Sequence, residues 1–155
     1  MLTRQEQAQQ KYGGSHTVID SWLAERQELL VKYCKLAGLP PFEQEKKGLP
    51  EILAVNSFCQ LLVDYLSAGH FEVYNDLVKQ CQEQDAASAA LAEQLFPKIT
   101  ATTDQLVDFN DKYSAIEDDA SLEEFDTDLS KIGQILELRL EYEDELLQAL
   151  NSTNV

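Results

Sequence analysis

The chain has 155 residues, is 44% hydrophobic and 26% charged, and carries a formal net charge of −16 at pH 7. That length suits one core and a single domain over residues 1–155, with 1–14 flexible or a short helix and 151–155 a disordered tail. No segment approaches the roughly 18 uninterrupted apolar residues of a membrane span, and so acidic a chain repels nucleic acid and anionic lipid, which excludes both as direct partners.

The acidity is uneven. Residues 1–50 hold seven Lys or Arg against six Asp or Glu, which leaves five basic against twenty-two acidic residues for the rest. Such a field either speeds encounter with a basic partner, in a salt-dependent way, or merely provides solubility. The opening MLTRQEQAQQKYGG lacks the apolar run of a signal peptide. Cys34, Cys59 and Cys81 are odd in number, show no CxxC spacing and fall in apolar stretches, so a reducing cytosol is the expected setting.

Apolar residues recur at three- and four-residue intervals and no alternating strand pattern of useful length occurs, which predicts an all-α chain. A short amphipathic piece, Leu2 to Lys11, precedes the first strong helix. That helix is expected from an N-cap at Ser15 to Ala37, stopped by Gly38 and Pro40-Pro41, with Ile19, Trp22, Leu23, Leu29, Leu30 and Tyr33 on its apolar face. Pro50 suits the first position of a second helix, whose stripe Ile52, Val55, Cys59, Leu62, Leu66, Val73, Leu77 and Cys81 extends to about Gln82. Gly69 inside it marks either a kink or a break. A third stretch covers Ala86 to Tyr113, where Pro97 bends or splits the helix.

The last helix is predicted to open on a capping box, Ser121-Leu122-Glu123-Glu124. Its stripe reads Leu122, Phe125, Leu129, Ile132, Leu136, Leu140, Leu147 and Leu150. Four long amphipathic stretches with short connections give an antiparallel, up-and-down four-helix bundle with one or two short extra helices.

Catalytic chemistry is sparse. His16 and His70 are the two histidines, and neither has a Glu three residues before it, as a di-iron bundle would need. Cys59 and His70 stand eleven residues apart, about 16 Å along a continuous helix and too far for a thiolate–imidazole pair. No phosphate-cradling glycine loop occurs. Arg139 and Glu143, four apart, either form a partly buried ion pair or flank the seam. The acids Glu141, Glu143, Asp144 and Glu145 read as a solvated face rather than a cation site. No catalytic residue, metal or cofactor is expected.

If the second helix is continuous, Asp64, Ser67, Ala68, Phe71, Asn75 and Val78 share one stripe roughly 150° from the core stripe, with Leu61 beside it. Apolar groups, a carboxylate and a small hydroxyl then form the mixed patch of a protein-binding surface, unless a neighbouring helix covers it.

The run Phe58-Cys59-Gln60-Leu61-Leu62-Val63-Asp64-Tyr65-Leu66-Ser67-Ala68-Gly69-His70-Phe71-Glu72-Val73-Tyr74 resembles the central motif of the bacterial Rsd/AlgQ family. Further likeness lies in Ile19-Asp20-Ser21-Trp22-Leu23-Ala24-Glu25-Arg26, Phe96-Pro97, Asp108-Phe109-Asn110-Asp111, and Leu136-Glu137 with Arg139 and Glu143-Asp144. The resemblance spans almost the whole chain and is weakest at residues 38–50 and the C-terminal tail. It implies an anti-sigma factor that binds region 4 of the housekeeping sigma factor, the basic helix-turn-helix segment that reads the −35 element. Such a factor lowers free sigma during slow growth. On this resemblance Asp64 pairs with an arginine, Ser67 allows close approach and Phe71 anchors, while Asp20 and Trp22 are further candidates. A second reading is an adaptor for another cytosolic regulator, such as the phosphocarrier of the sugar phosphotransferase system. A third, of another class, is a metal- or thiol-dependent enzyme built on the bundle.

Overall fold

Helical periodicity is realised along nearly every stretch where the apolar residues demanded it. A computed structural model describes residues 1–14, 17–42, 50–69 and 73–151, the side chains of 119, 120, 150 and 151 excepted. It contains α1 (Leu2–Tyr12), α2 (Thr17–Ala37), α3 (Ile52–Ala68), α4 (Tyr74–Gln84), α5 (Ala86–Tyr113) and α6 (Phe125–Asn151), with a short 3-10 turn at Asp119–Leu122. Among the described residues there is no strand. No helix among them is long and apolar enough to cross a membrane.

Helices α2, α3, α5 and α6 form a closed ring of neighbours, the helical bundle expected from the four long stretches. The polar helix α1 lies across α2 and α6, and α4 lies across α5 and α6. The apolar faces meet inside: Trp22, Leu23, Leu29 and Leu30 of α2, Val55, Phe58 and Leu62 of α3, Leu95 and Leu106 of α5, and Phe125, Leu129 and Leu136 of α6 are all at most 2% exposed. Each such side chain contributes about 1.5–3 kcal/mol by leaving water. All three cysteines are buried and free.

Boundaries follow local chemistry. Gly38, at φ 69°, takes the left-handed conformation that ends α2, and the Leu39 amide then reaches back to the Cys34 carbonyl at 2.9 Å. Asp85, in extended conformation, closes α4 and caps α5, its carboxylate accepting from the Ser88 amide at 2.7 Å. Pro97 sits within α5 without splitting it.

Two expectations are corrected and one alternative is decided. Pro50 does not open the second helix, because Glu51 is extended and serves as the N-cap ahead of Ile52. The capping box at Ser121 does not form. Asp118 accepts from the Ser121 amide at 3.0 Å and from its hydroxyl at 2.9 Å, so Ser121 belongs to the 3-10 turn and α6 starts at Phe125. Of the two alternatives at Gly69, the structure divides the stripe between two helices, α3 and α4, with residues 70–72 between them outside the described residues. The expected N-cap Ser15, both histidines and Phe71 lie outside the described residues.

Glycine at two positions reflects crowding. A Cβ on Gly69 would come within 2.9 Å of the Tyr74 ring, and one on Gly133 within 1.9 Å of the Tyr33 hydroxyl. That hydroxyl donates to the Leu129 carbonyl at 3.0 Å, tying α2 to α6.

Candidate functional site

Helix α3 has two faces with different chemistry. At 100° per residue its outward line is set by the residues between the core positions Val55, Cys59, Leu62 and Leu66. Asp64 and Ser67 are exposed there, and Ala68 and Leu61 are half-buried on the shoulder. Gln60, one turn before Asp64, donates to its carboxylate at 2.9 Å and orients it along the surface. Among the described residues no helix covers Asp64 or Ser67, so both side chains face solvent.

The other candidates separate from it. Asn75 is exposed and Val78 half-buried against the core, but both belong to α4, which packs on α5 and α6. Asp20 is exposed, and its carboxylate accepts from the Gly14 amide at 2.8 Å, which closes the turn between α1 and α2. Trp22 is 1% exposed and stacks on Tyr65, with ring centroids 6.4 Å apart and planes 2° from parallel. It belongs to the core and has no surface to offer a partner.

Directly beneath the patch lies a polar cluster to which all six helices contribute. Glu143 of α6, fully buried, accepts from the hydroxyls of Tyr65 on α3 and Tyr74 on α4. Arg26 of α2 approaches the same carboxylate at 3.4 Å and bonds Asp144 at 2.8 Å. Its Nε donates to Gln5 of α1, whose amide in turn donates to the Leu23 carbonyl at 2.8 Å. Arg139 reaches Glu143 at 3.5 Å, the Tyr74 hydroxyl at 2.6 Å, and the hydroxyls of Thr102 and Thr103 on α5 at 2.9 and 2.7 Å. The Arg139 guanidinium also sits 5.3 Å from the Tyr65 ring and 5.4 Å from that of Tyr74.

Two cations and two anions balance here, which is the condition under which ions survive burial. Burial alone would push both arginines down. For Arg26 the carboxylates of Glu143 and Asp144, with the Tyr65 oxygen, outweigh it, and for Arg139 the Tyr74 and Tyr65 oxygens and the Glu143 carboxylate do so; both end above the ordinary arginine value. Burial first and Glu143 second hold the Tyr65 and Tyr74 hydroxyls far above the usual phenol range, so both remain donors.

Sequence reasoning left Arg139 and Glu143 open between a buried pair and the seam; both are 0% exposed. It missed Gln5, Arg26, Tyr65 and Tyr74. A signal for Arg26 was present, since it stands four after Trp22 and three before Leu29, in phase with the apolar face. With Glu143 turned inward and Asp144 held by Arg26 and Arg4, the four acids of α6 do not converge on one point. Among the described residues no group of three potential metal ligands forms.

Comparison with known proteins gives one consistent picture. A family described as "Regulator of RNA polymerase sigma(70) subunit, Rsd/AlgQ" matches residues 1–151. A protein of Yersinia enterocolitica called "Regulator of sigma D" is 42% identical over 149 residues, 96% of this chain and 89% of that one. Proteins with the same name from Yersinia pseudotuberculosis and from an Enterobacter species are 40% and 37% identical, covering 96% and 100% of this chain and 88% and 93% of their own.

Proposed function

The chain belongs to the Rsd/AlgQ family of RNA polymerase sigma(70) regulators, and we propose that it acts by capturing region 4 of the housekeeping sigma factor on the outward face of α3. It is a regulator of that sigma factor, an anti-sigma factor in the transcription apparatus, and its family is regulatory rather than enzymatic.

One observation carries the reading: Asp64 and Ser67 stand exposed on a helix whose opposite face is locked into the buried cluster. A carboxylate on a rigid helix is suited to an arginine of a basic helix-turn-helix segment, and the small Ser67 lets that segment approach the backbone. Leu61 supplies apolar area at the shoulder, and Phe71, at the matching family position, is assigned the anchor. The net charge of −16 favours encounter with a basic segment and disfavours the phosphates that segment would otherwise contact. Binding therefore competes with both the −35 element and the polymerase core.

Calorimetric titration with isolated sigma region 4, at low and moderate salt, tests this. One-to-one binding that weakens with salt and falls by about 2–5 kcal/mol in Asp64→Ala, at unchanged melting temperature, is the expected result. Absence of wild-type binding would sink the reading and leave an adaptor role, with the phosphotransferase phosphocarrier as first partner to try. Unfolding of Asp64→Ala would make the position structural.

A further inference from the structure

We infer that the docking face runs the length of α3 as far as Leu53, and that its α2 shoulder receives an acidic group of the partner. This deepens the preceding reading and rests on it. Leu53, Ser57, Gln60, Asp64 and Ser67 lie within about 40° of one line on α3, and all five are exposed. Leu53 is 79% exposed, against 37–43% for the other exposed large apolar residues among those described. A lone surface leucine carries no message. This one continues the Asp64 line, about 16 Å away along the axis.

Beside that line runs a shallow groove of about 350 Å³ between α2 and α3, lined by Gln27, Glu28, Val31, Lys32, Lys35 and Leu61. Leu61 thus borders both the Asp64 patch and the groove. Two of the chain's twelve basic residues stand here against one acid, Glu28, so across the width of α3 the preferred partner charge changes from positive, opposite Asp64, to negative, opposite Lys32 and Lys35.

The occupant that fits is the same sigma segment, taken as two helices. A single helix laid along α3 spans the roughly 16 Å from Leu53 to Asp64 but, at about 8–10 Å between axes, does not also fill the α2 shoulder. A helix-turn-helix reaches both, one helix setting an apolar residue on Leu53 and an arginine at Asp64 and the other lying over Leu61 with a carboxylate toward Lys32 and Lys35.

The experiment is titration of full-length wild type, Leu53→Ser, Lys32→Glu/Lys35→Glu and Asp64→Ala with isolated sigma region 4. Leu53→Ser should bind about tenfold more weakly with no loss of melting temperature. The double lysine variant should also bind about tenfold more weakly, although it makes the protein more acidic and so improves long-range steering toward a basic partner. If both bind within twofold of wild type while Asp64→Ala is lost, the face ends at Asp64 and this inference falls while the anti-sigma reading stands. Tighter binding by the double lysine variant overturns it as well. Self-association of wild type in sedimentation, abolished by Leu53→Ser, would give that end of α3 to a second copy and overturn it. No binding by the wild type removes both readings together.

Discussion

Asp64 and Tyr65 are adjacent in the chain and live in different media. Tyr65 is 0% exposed and donates to a buried carboxylate that also faces two arginines and a second tyrosine. Asp64 is exposed, oriented by Gln60 on its own helix. The inward face packs on α2 and α5 and is bonded through Tyr65 to the Glu143 carboxylate on which the other helices converge, whereas the outward face has its groups available to another molecule. A helix so divided can spend its inner face on rigidity and its outer face on recognition. Substitutions on the two sides should therefore separate in their effects, stability on one and binding on the other.

The hardest test of that division is Glu143→Leu. It leaves Arg26 and Arg139 with one fewer anion and two tyrosine hydroxyls without their acceptor, and breaking such a buried set costs about 3–5 kcal/mol. Urea unfolding should show a loss of that size. A change under about 1 kcal/mol would mean the cluster is replaceable by apolar packing and does not fix α3. Asp64→Ala, one residue from Tyr65, should move unfolding by less than about 0.5 kcal/mol while removing most of the sigma binding.

Gly133→Ala probes the same interior at a point remote from the charges. The added methyl would stand 1.9 Å from the Tyr33 hydroxyl oxygen, which must give up its bond to Leu129. Overpacking of this kind costs about 1–3 kcal/mol. Removing that oxygen in Gly133→Ala/Tyr33→Phe should recover part of the loss, since the nearest remaining ring carbon is at 2.8 Å. A double variant less stable than the single one would place the strain elsewhere.

The two faces were unequally legible in the sequence. Apolar spacing is a local signal, so the helices and the stripe containing Val55, Leu62 and Leu66 could be read directly, and with them the outward phase of Asp64 and Ser67. The buried cluster is non-local: Gln5, Arg26, Tyr65, Tyr74 and Glu143 come from five helices, and nothing in their separations along the chain announces that they meet. Asp118 displaced the capping box at Ser121 because two acceptors competed for one turn, and propensity does not rank them. Placing Asn75 and Val78 on the Asp64 stripe depended on one continuous second helix, and whether Gly69 interrupts it is a matter of tertiary packing against Tyr74, so spacing left it open; the structure carries both residues on α4.

Alkaline pH should strain the inner face alone. Burial pushes the Cys59 thiol up to about 11 from 9.0, and burial, then Cys34 and Glu137, push the Tyr33 phenol up to about 12 from 10.0. A raised folded-state pKa for these acids means the neutral form is favoured by folding. Their stabilisation is complete below the unfolded values, near pH 9 for the thiol and 10 for the phenol, and is lost as pH rises through 11 and 12. The melting temperature should hold steady from pH 7 to about 9 and then decline, the loss of stability reaching at most about 3 kcal/mol per group. Tyr33→Phe should flatten the upper part of that decline. A melting temperature that rises above pH 9 would contradict the burial of both groups, and with it the claim that the interior, not the Asp64 face, carries the stability.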